Sequence, residues 1–593
     1  MNAKSIVESV FSAPIAKRLW TANIDSLLPV TPQHFSVAAV LPAVLYMFRW
    51  GQRRGRGQFQ KTFGSNLAKP TIKDVTAVLS KKQSDFSNFD SSVKNSILGD
   101  LLLCYLLENK KHENGHDAEV ARVFPAHYMS SWIDLPYSVA HLRFVPEMLV
   151  ALLAQQPDKQ FVEPSSPPTR FSVSCGFQDN NLLQIFGKGV SIEGPFAANI
   201  TSDKVDESES FGIDQLLAIR LAQACGEAPV KLRGEREVSQ IPNKWSVARI
   251  AAEHLREDLS ILLQAYGELI PRQTLVPMLE SVIGLGLLNV FLGCLSSALH
   301  WQKTGTIIPT DQQAPRAIFV DASNGADHSL RRLSEESLEE VGRIVDQVQS
   351  PLMAMRLLDA KGRFDPRLKA FLPQGPDNST WLNLLGQVRM GHHERSRLIL
   401  NDLDEKCEAL ASSLEEETLS EEVVRLLRSE ATTPDPVDRL ADACCSLMGE
   451  KLLRTQHMRF LDSCLMVDSP HGLGRKRRVS MRNVSKGRTT GEFRSVVLPN
   501  TLLDALAHRH LCKAARGKSQ RPLPLIVFLQ ILRQRYGLWV DEAPPNMAIG
   551  DEDLRRNRQI LERRLRDLGL LVGVNDAESM KRLRPRYLTT TTL

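Results

Sequence analysis

The sequence predicts a mainly α, multidomain protein with a small β-containing insertion and a winged-helix-like domain at its C-terminal end. Three observations carry this. At 593 residues the chain is too long for one compact core, and roughly 150 residues per domain suggests about three to five units. Apolar runs dominate, and period-two alternation is confined to a few short stretches. Finally, the modest net charge of +6 is unevenly spread: from Leu473 onward there are 25 Lys plus Arg against 11 Asp plus Glu, leaving 49 basic and 57 acidic residues before it. An acidic body thus carries a basic tail of net charge +14, and such asymmetry bears on partners rather than on fold.

Residues 1–155 read as an N-terminal helical domain, with FSVAAVLPAVLYMF and SILGDLLLCYLL as its apolar runs. Between them WGQRRGRGQFQKTFGSN sets Arg53, Arg54, Arg56 and Lys61 among glycines and phenylalanines, a loop that is either solvated or able to grip phosphates. The opening MNAKSIVESVFSAPIAKRLW interrupts its apolar positions with charge, so no secretory leader is read and a cytoplasmic location is expected. Nine scattered cysteines without a Cys-x-x-Cys pair predict reduced, mostly buried thiols.

PDKQFVEPSSPPTR is a linker by its proline and serine content. The β-containing insertion, residues 165–245, follows: RFSVSCGFQDNNLLQIFGKGVSIEG breaks at Asp-Asn-Asn and at Gly-Lys-Gly, suggesting two or three short strands. Residues 246–465 form a central, mainly helical domain. Its uncharged run from Ser281 to Trp301 is long enough to span a bilayer, but Asn289, several Gly and Ser, and the lack of a flanking polybasic cluster favour a buried core helix, so no membrane partner is expected. AIFVD reads as a buried strand, with a helix start at Ser334-Glu335-Glu336. The acidic stretch NDLDEKCEALASSLEEETLSEEVVRLL keeps leucines at helical spacing and reads as a solvated helix face; an acidic mask over the basic tail is the alternative.

Enzymatic chemistry is hard to find. No Gly-x4-Gly-Lys-Ser/Thr loop is present, since Gly517-Lys518-Ser519 lacks the earlier glycine, and GLWVDE with Asp541 and Glu542 then has no phosphate loop to serve. No cofactor is expected. Asp321-x-Ser323-x-Gly325-x-Asp327 offers oxygens on alternate loop positions and suits either a hard cation or a capped turn. Asp100, Glu108 and Lys110 resemble a reduced metal-nuclease set, and Gly391-His392-His393-Glu394 is a turn with two imidazoles.

The basic C-terminal domain, residues 473–593, holds the features that rise above background. LGRKRRVSMRNVSKGRTTGEFRSVVLP alternates as a loose β-ribbon and carries Arg475, Lys476, Arg477, Arg478, Arg482, Lys486, Arg488 and Arg494 against Glu492. Displaced counterions would drive its binding to nucleic acid without sequence choice. From about residue 500 the order helix, connection, helix, hairpin resembles a winged helix. In its arginine helix Leu554, Leu561, Leu565 and Leu568 form the buried stripe, while Arg556, Gln559, Arg563 and Arg566 share another face; Lys581, Arg582 and Arg584 fall on the wing, after a turn at Asn575-Asp576. Asp551, Glu552 and Asp553 open that helix, which suits its dipole but repels phosphates. Winged helices also dock proteins.

RQRYGLWVDEAPP followed by RRLRDLGLLVGVNDAESMKRLRPRY resembles the ends of large uncharacterised accessory proteins of bacterial multi-gene anti-phage defence clusters. The resemblance implies a subunit that works beside separate catalytic subunits such as ATPases, methyltransferases or nucleases. The expected function is therefore a non-enzymatic DNA-binding accessory or scaffold subunit, with DNA and protein partners. A metal-dependent nuclease subunit and a docking scaffold without nucleic-acid contact are the alternatives.

Overall fold

The computed structural model describes residues 3–588 apart from 22, 51–58, 65–69, 83, 111–118, 134–138, 154–169, 173–179, 189, 192–203, 206–211, 226–239, 243–245, 367–377, 418–419, 429–434, 450, 484–486, 513–521 and 574–580. Helices dominate, as expected, and the strands pair in sheets of two or three.

The uncharged run is the axis of the molecule. It lies in helix α5 (Arg272–Thr304), which ends where Gly305 takes a positive φ of 72°. Among the described residues it is the one helix long and apolar enough to cross a membrane, and 83% of its most apolar window is buried inside the protein. Helix α4 (Arg249–Tyr266), α7 (Gln349–Phe364), α10 (Arg454–Cys464) and α11 (Asn500–Leu511) all pack on it. Burial on all sides explains why α5 shows no polar face. Buried side chains from Ile6 to Leu583 form one continuous cluster, so the four segments read from the sequence meet on a shared core.

A charged knot crosses that core. Glu280 of α5 is 0% exposed. Its carboxylate accepts from Arg122 Nη1 at 2.9 Å and contacts His471 Nε2 at 2.8 Å. Arg122 stands on strand β2 (Glu119–Val123), antiparallel to β1 (Leu107–Lys110), and also clasps Glu108 at 2.7 and 2.9 Å. His471 lies just before the basic ribbon, so one buried acid joins the N-terminal segment, the core helix and the C-terminal region.

In the insertion, β3 (Arg170–Ser172) pairs with β6 (Gln240–Pro242), and β4 (Val190–Ser191) with β5 (Lys204–Val205), all antiparallel. NLLQIF is not a strand. It forms helix α3 (Asn181–Phe186), because the Asn180 side chain accepts from Leu183 N–H at 3.1 Å and caps its first turn. A second correction concerns the AIFVD region. Helix α6 (His328–Gln347) starts earlier than Ser334, capped by Asp327, whose carboxylate accepts from Leu330 N–H at 3.1 Å. Ser334 sits two turns inside, and its hydroxyl bonds the Phe319 carbonyl at 3.0 Å and Val496 N–H at 2.9 Å.

The acidic stretch forms helix α8 (Ser396–Glu416), packed against α9 (Pro436–Met448) and neighbouring helices of the central body. Leu403, Leu410 and Leu414 face in and the glutamates face out, as the spacing predicted, while Asp402 turns in to the buried Lys361.

Candidate nucleic-acid interface

The basic segment forms a long two-stranded ribbon, β8 (Gly474–Asn483) antiparallel to β9 (Gly487–Val496), paired in register from Gly474↔Val496 to Asn483↔Gly487. It packs on α6. The end of β9 continues into a small composite sheet: Asp321 N–H donates to the Val496 carbonyl at 2.9 Å, and β7 (Ile318–Phe319) runs parallel to β11 (Leu538–Trp539).

Around this lie α11, β10 (Leu523–Pro524), α12 (Leu525–Tyr536), α13 (Asp551–Asp567), β12 (Leu571–Val572) and β13 (Arg582–Leu583), with a three-stranded antiparallel sheet in the order β10-β13-β12. The Asn575-Asp576 turn lies outside the described residues.

Helix α13 is welded to the body by a residue that its polar neighbours conceal. In the string RRNRQ, Asn557 is 0% exposed. Its amide donates to the carbonyls of Val320 and Val540 at 2.8 and 2.9 Å and accepts from Ala322 N–H at 2.9 Å. It therefore bridges β7 and β11 where their own ladder ends. Asn557→Asp keeps the size but removes both donors and sets a carboxylate against two carbonyls. The expected loss is about 3 kcal/mol or more, since each orphaned buried group costs about 1–3 kcal/mol. A denaturation midpoint equal to wild type would refute that.

The arginines divide into spent and available ones. At the ribbon base, Arg475 donates to the carbonyls of Gly472 and Gly474 at 3.0 Å each. Lys476 pairs with Asp462 at 3.2 Å and Glu492 at 3.0 Å. Arg477 grips Glu335 of α6 with two bonds, one at 2.7 Å, and lies 4.8 Å from the Phe493 ring centre. Arg478 meets Glu492 at 3.1 Å, and Arg494 also turns to Asp462. The Glu492 carboxylate is held below its usual range, first by its hydrogen bond to Lys476. The sequence had shown only Glu492 as a counter-charge; Asp462 and Glu335 arrive through the fold. Arg482 and Arg488 stand opposite each other in the register, and their side chains lie outside the described residues.

On α13 the same sorting applies. Arg556 lies between Asp553 and Asp327, 3.2 Å from the latter. The buried Glu562 gathers Lys581 at 2.8 Å, Arg558 at 3.2 Å and, more loosely, Arg566 at 3.8 Å, tying the residue just before β13 to the helix. Arg564 turns inward, donating to the Ala322 carbonyl at 2.8 Å; burial lowers its pKa, Asp321 opposes this, and nearby Arg475 adds to it. Arg563, Arg582 and Arg584 are exposed and have no side-chain partner among the described residues. Arg566 is exposed as well, and the Lys581–Glu562 pair ties the segment of Arg582 and Arg584 to the helix that carries Arg563 and Arg566.

The other candidate sites resolve into structural roles. Asp321 is fully buried and closes its own loop, accepting from Ser323 N–H at 2.7 Å and Gly325 N–H at 2.8 Å, with Gly325 at a φ of 90° that only glycine adopts easily. Burial raises the Asp321 pKa. The Asp-Ser turn is thus a cap for α6. Glu108 spends its oxygens on Arg122, Asp100 is exposed on the helix Ser92–Tyr105, and the Lys110 side chain lies outside the described residues. His392 and His393 sit in a turn whose N–H groups reach the Gln387 carbonyl at 2.9 and 3.3 Å. Arg53, Arg54, Arg56 and the 517–519 stretch fall outside the description. Among the described residues, no group of three His, Cys, Asp or Glu is placed to hold a metal.

A large helical chain with an arginine-studded C-terminal face fits the class of defence-cluster accessory proteins that its end resembles. Family comparison gives the particular one: residues 21–587 match the family described as Methylation-associated defense system protein MAD7, and the chain belongs to that family. The expected place in an anti-phage defence system is thereby borne out. No curated protein and no solved structure matched.

Proposed function

We propose that this protein is a DNA-binding accessory subunit of its defence system, working beside separate catalytic subunits. The observation that carries the reading is the set of exposed arginines on α13 and around β13; the element order α11, β10, α12, β11, α13, β12, β13 and the sheet order β10-β13-β12 are consistent with a winged helix into which β11 is inserted. Membership in a multi-gene system supports protein partners. The base of the ribbon is neutralised by Asp462, Glu335 and Glu492, so on this reading its distal half, which carries Arg482 and Arg488, is the part that contacts DNA.

The full chain should bind labelled duplex DNA with an affinity that falls steeply as salt rises. The isolated basic segment is a poor reagent, because α11 packs on α4 and α5 and the end of α12 is bonded to α4 through Arg535 and Tyr536 on Asp258. A docking scaffold is the second reading, favoured by the three acids at the start of α13. Absence of duplex binding at low salt, together with nuclease-resistant co-purification of the system's other subunits, would decide for it.

A further inference from the structure

We infer that the chain meets the sugar-phosphate backbone of duplex DNA with the C-terminal half of α13 and with β13, and holds the N-terminal turn of α13 away from it. The inference rests on the DNA reading above and gives it a polarity. A groove-reading helix usually presents its N-terminal residues to base edges. Here that turn carries Asp551 and Glu552, both exposed, and Asp553, with Gly550 as an N-cap that adds no side chain. Cations near that end are consumed: Arg556 by Asp553 and Asp327, and Arg555 in part by the Asp551 carbonyl at 3.2 Å.

At the other end the balance reverses. Arg563 and Arg566 lie a turn or more further along the helix and are exposed, while of the two acids there Glu562 points inward and is 6% exposed, leaving Asp567 as the outward one. Glu562 holds Lys581, the residue before β13, and so sets Arg582 and Arg584 beside the helix. Four exposed arginines at this end, of which Arg566 is loosely drawn to Glu562, outweigh the exposed Asp567, whereas the first turn is acidic, and that asymmetry favours phosphates at the C-terminal half. Phosphate contacts position a protein without reading sequence, so binding is indifferent to base order.

The test uses the full chain, a labelled duplex of mixed sequence, and dissociation constants measured across a salt series. In the combined variant Arg563→Ser, Arg566→Ser, Arg582→Ser and Arg584→Ser, the log–log salt slope should shrink by about 3 to 4, at roughly 0.9 per phosphate contact. All four side chains are exposed, so the thermal melt should match wild type. Asp551→Asn with Glu552→Gln should tighten binding, and duplexes of different sequence should bind alike. An unchanged slope in the arginine variant, or weaker binding in the acid variant, while the wild type still binds, overturns this polarity and leaves the DNA reading standing. A wild type that binds no duplex at low salt overturns both.

Discussion

Glu280→Ala should lower the stability of the protein by about 3–5 kcal/mol, the usual cost of removing one partner of a buried ion pair. The carboxylate is 0% exposed, and its loss takes a partner from two groups at once. Arg122, with 15% of its side chain exposed, would keep Glu108 as its acid, and the His471 ring would lose its 2.8 Å contact. Burial alone would raise the Glu280 pKa, but the hydrogen bond from His471 and the Arg122 charge overcome it and hold the carboxyl below its ordinary value. A folded-state pKa that is depressed means stability present above the unfolded value and lost as pH falls through the folded one. Denaturant unfolding at neutral pH is the measurement. A midpoint shift worth under about 1 kcal/mol would mean that the knot is not a support. Replacing Glu280 and Arg122 together by Leu and Met should recover part of the loss, because a guanidinium left only half compensated in the core, more than the missing bond, is what costs.

The Glu280 knot also marks where reading the sequence stops. The apolar stretch around Ile283 to Leu295 identified the core helix because its lack of charge is a local property. The β8–β9 ribbon was legible for the same reason, since the alternation of VSMRNV and FRSVVL is local. The counter-charges of that ribbon were not: Glu335 lies 142 residues before Arg477, and Asp462 comes from the helix before the turn. Arg475 to Arg478 therefore looked like an open phosphate grip, whereas the structure gives each of them a partner. Asn557 and Glu562 were hidden by the opposite effect. Both lie in a string so polar that nothing distinguishes an inward amide or acid from an outward one. Helix starts failed where two candidate caps competed. The sequence presents Asn180 as a strand break and Asp327 as part of either a capped turn or a cation loop, and each caps a helix. In both cases the side-chain chemistry was read correctly, and only its target, an N–H three residues on, was missed.

Lowering the pH from about 7 to about 5 should destabilise the protein steeply, well before its surface carboxylates titrate. The groups responsible are imidazoles withdrawn from water and near arginines. Burial lowers His127 from 6.5 to about 3, although backbone bonds near Gly187 oppose it. Burial likewise lowers His457 to about 4, against the help of the Leu453 carbonyl, and His510 to about 2, where Arg509 and Arg535 add to the effect. The half-buried His254 moves the same way, to about 4. For a base whose folded pKa is depressed, the unfolded chain takes protons that the folded chain refuses. Stability is then complete above about 6.5 and drains away as pH drops toward the folded values. Each fully differential imidazole contributes about 1.4 kcal/mol per pH unit, so the three most buried ones together approach about 4 kcal/mol per unit near pH 5. Melting temperatures taken at intervals across this range read the slope directly. A flat profile between pH 7 and 5 would mean that these rings are wetter than their packing implies. His457→Leu should remove one share of the slope, because the ring stacks on Phe291 at 6.1 Å between centres and an apolar side chain can fill that place without a proton to lose. The same variant at pH 8 should cost only the bond to the Leu453 carbonyl, so the wild-type advantage seen there must shrink on acidification if protonation is the cause.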